Sequence, residues 1–277
     1  MILYLLPGLI GILAFYLVPF VWGIYISMTD GTYFNNFVWF DNYKYVLNNP
    51  AFQLGFKNTM IYSLMCAPLI WVLSFVIAAM LRTLKSGNTF FRNVLLLPYL
   101  MPSAAMLAIW LVFFDFGGIV NRLVVAVGIE RVFWLDGAPL RVPIVLLYVW
   151  KNLGFSVVIF AAALQAVPEA LYEYAGLEGA NAFQREVKIT LPLITPTAFL
   201  VFVLAWVNTF KIFKEIYVIA GSYPGDEVYT LQTYMNNVFR NLNNQYVTSA
   251  AYIFAMVVLV LFALMYASKS VRSPNQL

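Results

Sequence analysis

Six long, almost uninterrupted apolar stretches divide the 277-residue chain: 2–28, 58–81, 93–114, 141–164, 191–212 and 246–267. An α-helix needs about 20 apolar residues to cross a hydrocarbon core roughly 30 Å thick, and each stretch reaches that length. The pattern predicts an all-α polytopic membrane protein, one transmembrane domain over 1–277 with six spans and both termini on the same side. The first stretch could instead be a signal peptide, but no Lys or Arg precedes Lys44, so the basic leader of such a peptide is missing. It is read as a true span, consistent with a short cytoplasmic leader having been trimmed.

Composition strengthens this picture. Hydrophobic residues make up 63% of the chain and charged ones 10%, against about 45–50% and about 25% in soluble domains. The net charge of +4 and pI near 9.0 do not imply a nucleic-acid partner, because the basic residues are dispersed. They speak instead to orientation. The loops after spans two, four and six (82–92, 165–190 and 268–277) hold Arg82, Lys85, Arg92, Arg185, Lys188, Lys269 and Arg272. The opposite loops, nearly twice as long in total, hold six basic residues. The denser set is expected in the cytoplasm, with both termini. The chain has no histidine, and its one cysteine, Cys66, lies inside an apolar stretch, so it has no cysteine metal cluster and no intrachain disulfide.

Two loops on the opposite face have content of their own. Residues 118–128 read as a short amphipathic helix, followed by the aromatic turn Phe133-Trp134-Leu135-Asp136-Gly137, suited to a membrane interface. Pro224-Gly225 marks a tight turn. Neither carries a catalytic signal.

The loop between spans four and five is more informative. Pro168 suits the first turn of a helix with Glu169 beside it, and Ala170, Leu171, Tyr174 and Ala175 recur at helical spacing. A helix is predicted over 168–177. Gly179 can then take a positive φ and reverse the chain into a second helix over 180–190 with Phe183, Val187 and Leu191 on one face. Ala175 and Ala180 are small enough for close backbone approach. Such an element either lies on the lipid headgroups or inserts into a cytosolic partner.

This stretch resembles the signature cytoplasmic loop of binding-protein-dependent ABC importer permeases, Glu-Ala-Ala-x3-Gly followed by Ile-x-Leu-Pro. Here it reads Glu173-Tyr174-Ala175-x3-Gly179, then Ile189-Thr190-Leu191-Pro192. The similarity extends to Leu6-Pro7 with Phe20, Leu97-Pro98 with Pro102, Gly118-x2-Asn121, Trp150-Lys151 with Gly154, and Leu164-Gln165-x2-Pro168. It is of the maltose- and glycerol-phosphate-type sugar permeases. Tyr174 stands for the first alanine of the pattern and Glu178 for the usual Asp.

The resemblance implies a permease that is not itself an enzyme, in a bacterial cytoplasmic membrane. Its partners would be a second homologous permease, a cytosolic ATPase dimer, an extracytoplasmic solute-binding protein and a sugar. No Gly-x4-Gly-Lys-Ser/Thr loop occurs, so ATP and Mg are expected on the separate ATPase and no cofactor on this chain. The 165–190 loop would be the coupling helix, with Glu173, Ala175, Gly179 and Ala180 at its centre and Glu173 paired to a basic residue of the ATPase.

Polar residues inside the spans are candidates for the substrate path, because a charge near mid-membrane costs roughly 2.5–3.5 kcal/mol and normally faces a cavity or a partner. Lys151, with Asn152 beside it, lies near the middle of span four and either lines the path or braces a helix interface. Asn208, Lys211, Lys214 and Glu215 sit late in span five. Lys211 and Glu215 are spaced i,i+4, and their mutual ion pair is the favoured reading. Most of the aromatic residues, 18% of the chain, are read as interfacial belts and bundle packing. A secondary transporter with its own coupling ions would need buried carboxylates at mid-span, and the sequence offers Glu215 near an end. A membrane-embedded enzyme would need a nucleophile with its base, or a metal cluster.

Overall fold

The computed structural model describes residues 2–32, 36–84 and 87–271, the side chains of 2–4 and 265–271 excepted. Most of the loop predicted over 268–277, and Lys85, lie outside the described residues. In chain order, α1 (Ile2–Ile12) passes through a π-helical segment, Leu13–Leu17, into α2 (Val18–Ser27). Then come α3 (Asp41–Asn48), α4 (Pro50–Arg82), α5 (Asn88–Leu100), α6 (Ser103–Phe114), α7 (Ile119–Ala126) and α8 (Arg141–Gln165). The loop helices α9 (Glu169–Leu177) and α10 (Ala182–Arg185) lead through a second π segment, Glu186–Thr190, to α11 (Leu191–Leu193) and α12 (Thr195–Thr209). A 3-10 turn, Phe210–Ile212, precedes α13 (Phe213–Ala220), and α14 (Leu231–Arg240) and α15 (Asn244–Val271) complete the chain. Among the described residues, extended pairing is limited to the single bridge Thr29 to Phe37.

Among the described residues, six helical stretches are long and apolar enough to span a membrane, the third of them, Ser103–Ala126, counted across the bend at 115–118. Their limits differ from the hydropathy pattern where packing or capping extends a helix past its apolar run. Helix α4 begins at Pro50 because the Asn49 side chain accepts from the Ala51 and Phe52 amides, at 2.9 and 3.4 Å, and Pro fits the first turn. The block predicted as one span over 93–114 is divided at Met101 and Pro102, which are extended. Pro102 lacks an N–H and disfavours helical geometry at the residue before it, so the chain stops and restarts there.

The chain forms two units, residues 1–57 with 230–277 and residues 58–229. In the first, α15 packs on α2 and α3. Gly23 makes this possible: a Cβ there would sit 2.6 Å from the Tyr252 hydroxyl, which donates to the Phe20 carbonyl. Asn42 donates to the Ser27 and Thr29 carbonyls at 2.9 and 2.7 Å, tying α3 to the C-terminal end of α2.

In the second unit α8 is central, with 56% of its most apolar stretch buried. It packs most extensively on α5, where Gly154 lies directly against the Leu95 carbonyl and leaves no room for a side chain. A core of Phe75, Ala78, Phe160, Leu164 and Val201 joins α4, α8 and α12, with the Trp71 indole donating to the Ala198 carbonyl at 2.8 Å. A smaller core of Met106, Leu107 and Leu147 joins α6 to α8.

Candidate functional site

The loop between α8 and α12 has the predicted shape. Pro168 is extended (φ −59°, ψ 129°) and α9 starts after it. At the other end Gly179 has φ +79°. Its N–H donates to the Gly176 carbonyl at 3.1 Å and the Ala180 N–H to the Ala175 carbonyl at 2.9 Å. This is the Schellman pair of bonds, which satisfies carbonyls the helix end leaves open. Ala175 and Ala180 are thus joined to each other through the backbone. Asn181 then caps α10 in a reciprocal box with Gln184, at 2.8 and 3.0 Å. The predicted second helix exists, but from Glu186 it widens to π geometry.

What fixes this loop is not legible in the sequence. Arg82, in the last turn of α4, forms an ion pair with Glu186, donates to the Tyr172 hydroxyl and lies 4.3 Å from the centre of its ring. Tyr172 in turn meets the buried Thr190 hydroxyl at 2.8 Å. One guanidinium therefore holds both halves of the loop to α4. The outer surface is left bare: Glu173 is exposed, and Tyr174, Leu177 and Phe183 are 69, 86 and 75% exposed.

Inside the spans, the pair favoured from spacing does not form. Lys211 is exposed and donates to Asn208 Oδ1 at 3.0 Å. Glu215 is 3% exposed and accepts instead from Lys151 Nζ at 3.0 Å. A 3-10 turn advances about 120° per residue rather than 100°, so the segment Phe210–Ile212 rotates Lys211 off the Glu215 face. Lys151 also donates to Ser103 Oγ at 2.6 Å. The ammonium thus ties α8 to α13 and to the restart of α6 after Pro102. Glu215 is the buried carboxylate among the described residues, and its charge is matched.

Asn152 and Asn208 come together differently. With Ser156, Phe155 and Ala205 they line one narrow cleft between α8 and α12. The Asn152 amide donates to the Tyr148 carbonyl at 2.8 Å, leaving its oxygen toward further partners. Of the six polar residues named along the spans, then, Asn152 and Asn208 share a cleft, Lys151 and Glu215 form a buried ion pair, Lys211 bonds Asn208 from the exposed side, and Lys214 is exposed. Ser103 is the member that sequence reasoning missed; its only signal was a hydroxyl directly after a helix-breaking proline.

On the other loops, Asn121 holds the 115–134 segment through bonds to the Phe116 and Val132 carbonyls and from the Val132 amide and Trp134 indole, all within 3.1 Å. The turn expected at Pro224-Gly225 lies just after that pair, where the Val228 N–H donates to the Gly225 carbonyl at 3.1 Å; Asn58 holds it through the Asp226 and Tyr229 carbonyls at 2.7 and 2.8 Å and Arg141 through the Glu227 carbonyl at 2.6 Å.

The chain is similar to known membrane transport proteins. A family model described as the binding-protein-dependent transport system inner membrane component matches residues 72–271. The chain is 30% identical over 270 residues to the trehalose/maltose transport system permease protein MalF of Thermococcus litoralis, covering 95% of this chain and 91% of that one. It is 27% identical to the lactose transport system permease protein LacF of Rhizobium radiobacter, covering 96% and 93%. Its fold is similar, at TM-score 0.83 and 23% identity, to a chain of a bacterial alginate ABC transporter solved with an alginate pentasaccharide-bound periplasmic protein, covering 100% of this chain and 96% of that one. The matched residues include the reversing loop, the central helix α8 and the spans around it. The chain therefore belongs to the binding-protein-dependent transport system inner membrane component family, as a membrane-spanning permease subunit of an ABC importer.

Proposed function

We propose that this permease, paired with a second homologous one, forms the path by which a sugar or oligosaccharide enters the bacterial cytoplasm. An extracytoplasmic binding protein delivers the solute, and a cytosolic ATPase dimer carrying ATP and Mg drives the cycle. The sugar reading is supported by the trehalose/maltose and lactose permeases among the relatives. The cleft measures about 10 Å³ in this state; where it opens, the Asn152 oxygen and the Asn208 amide N–H are left to meet hydroxyls while Phe155 supplies an apolar wall. In this reading Lys151 and Glu215 brace the helices around that cleft.

The observation that carries the coupling role is the bare outer surface of the α9 loop. Leu177 and Phe183 are apolar, almost fully exposed, and held on an element that Arg82 clamps to α4. Burying one such side chain in a partner contributes about 1.5–3 kcal/mol, and a charge-assisted bond from Glu173 about 1.5–3 kcal/mol gross. A push on α9 would pass through Arg82 and Tyr172 to α4 and to the segment leading into α12. Orientation follows from the same assignment, with the α9 loop and both termini in the cytoplasm.

The test is co-purification of the ATPase and binding-protein-stimulated hydrolysis in reconstituted membranes. Glu173→Ala and Leu177→Ser should each weaken both while inserting normally, with Asn243→Ala as control. Undiminished coupling in both variants would leave the loop as a surface element only.

A further inference from the structure

An open groove of about 490 Å³ lies where α6 ends, lined by Leu111, Val112, Ile119 and Leu135 with Asp115 and Arg122 at its rim. The coupling and translocation roles make no use of it. Its depth in the membrane follows from the helices. Lys151 lies near the middle of α8 and bonds Ser103, the first residue of α6. The 12 residues of α6 rise about 18 Å from that level. The hydrocarbon half-thickness is about 15 Å, so Asp115 and Arg122 stand at the headgroup layer. The Trp110 indole donates to the Pro143 carbonyl at 2.9 Å, which places the end of α6 beside the start of α8 at the same level. The aromatic pair Phe116 and Phe133, stacked at 4.4 Å, belongs to that layer as well.

The chemistry of the groove is that of one amphiphile. Its floor is apolar and continues down α6 through Val112, 68% exposed. Its rim holds two opposite charges that do not pair with each other or with another side chain among the described residues. Asp115 Oδ2 accepts from the Gly117 amide at 2.8 Å, leaving Oδ1 open. Arg122 makes no side-chain hydrogen bond, and its guanidinium matches a phosphate in planar, two-point fashion. The Asn121 bonds fix the segment that carries both charges, so the groove is pre-organised.

We propose that this groove binds a single phospholipid with a phosphoethanolamine headgroup. Arg122 holds the phosphate, Asp115 the ammonium, and an acyl chain lies on Val112, Leu111 and Ile119. A purely anionic headgroup would leave Asp115 facing a phosphate, and a phosphocholine would offer Asp115 no N–H. Opposite charges at the rim exclude the purely anionic headgroup, and the N–H that Asp115 can accept selects the aminophospholipid over phosphocholine.

The test is native mass spectrometry of the intact transporter, purified from membranes and from nanodiscs of defined phosphatidylethanolamine, phosphatidylcholine or phosphatidylglycerol. The parent should retain one phosphatidylethanolamine per complex in preference to the other two. Arg122→Gln and Asp115→Asn should each lower that retention about tenfold, and the exchange Arg122→Asp with Asp115→Arg should recover part of it with the headgroup reversed. Matching elution profiles and ATPase association would confirm that the variants are folded; a variant failing that check is replaced by Arg122→Lys, for which a smaller loss is expected. Equal retention of all three lipids, or a preference for phosphatidylglycerol that survives Asp115→Asn, would overturn the proposal. So would unchanged retention in the variants together with weakened binding-protein affinity, which would make the groove a protein contact.

Discussion

Lys151→Met separates bracing from substrate contact. The substitution keeps a long apolar side chain in the space of the lysine stem but removes the ammonium. Glu215 is then left 3% exposed, with Oε1 stripped of Lys151 and Oε2 already without a hydrogen-bond partner. Removing one member of a buried ion pair costs about 3–5 kcal/mol, because the remaining charge is neither solvated nor matched. That is a large share of the roughly 5–15 kcal/mol by which folded domains are stable. The loss of the Ser103 bond at 2.6 Å adds to it by freeing the start of α6. Replacing both charges, K151M/E215L, removes the unmatched carboxylate and should recover stability to within about 1–2 kcal/mol of the parent. The assay is denaturant unfolding in mixed micelles for the parent, both single variants and the double, run as a cycle beside uptake in reconstituted vesicles. A coupling energy near zero would refute the bracing role. So would a Lys151→Met protein as stable as the parent that no longer transports, since the ammonium would then be acting on the solute.

Three further outcomes are expected. Gly179→Val should strain the turn by about 1–3 kcal/mol and weaken ATPase co-purification. Gly179→Asn should be far milder, since nothing stands within 4 Å of a Cβ there and only the φ of +79° is at issue; equal effects would point to side-chain size instead. Gly154→Ala should push α8 off the Leu95 carbonyl, destabilising the protein by about 1–3 kcal/mol, read as a lower thermal midpoint in detergent, and an unchanged midpoint would contradict the tight α5–α8 contact. A cysteine placed at Asp226 should react with an impermeant reagent in intact cells while one at Glu178 does not, and the reverse result would invert the orientation.

The sequence by itself determined the helical membrane class, the six apolar stretches and the reversal at Gly179. Each is a local property: apolar length decides whether a helix can cross lipid, and a glycine takes a positive φ without steric cost. The family was legible for the same reason, because its loop motif is a run of neighbouring residues. Tertiary structure alone decided the partners of the charges. Spacing pointed Lys211 at Glu215, but a 3-10 turn rotated it away and a lysine 64 residues distant took its place. Arg82 reaches Glu186 across 104 residues, and Lys151 reaches Ser103 across 48. A buried charge settles where packing brings a complementary group within 3 Å, and that depends on which helices lie side by side. Hydropathy likewise set the apolar core of α4 but not its start at Pro50, which depends on a cap, nor the break at Pro102, whose use became clear only when Ser103 was found at the end of a buried lysine.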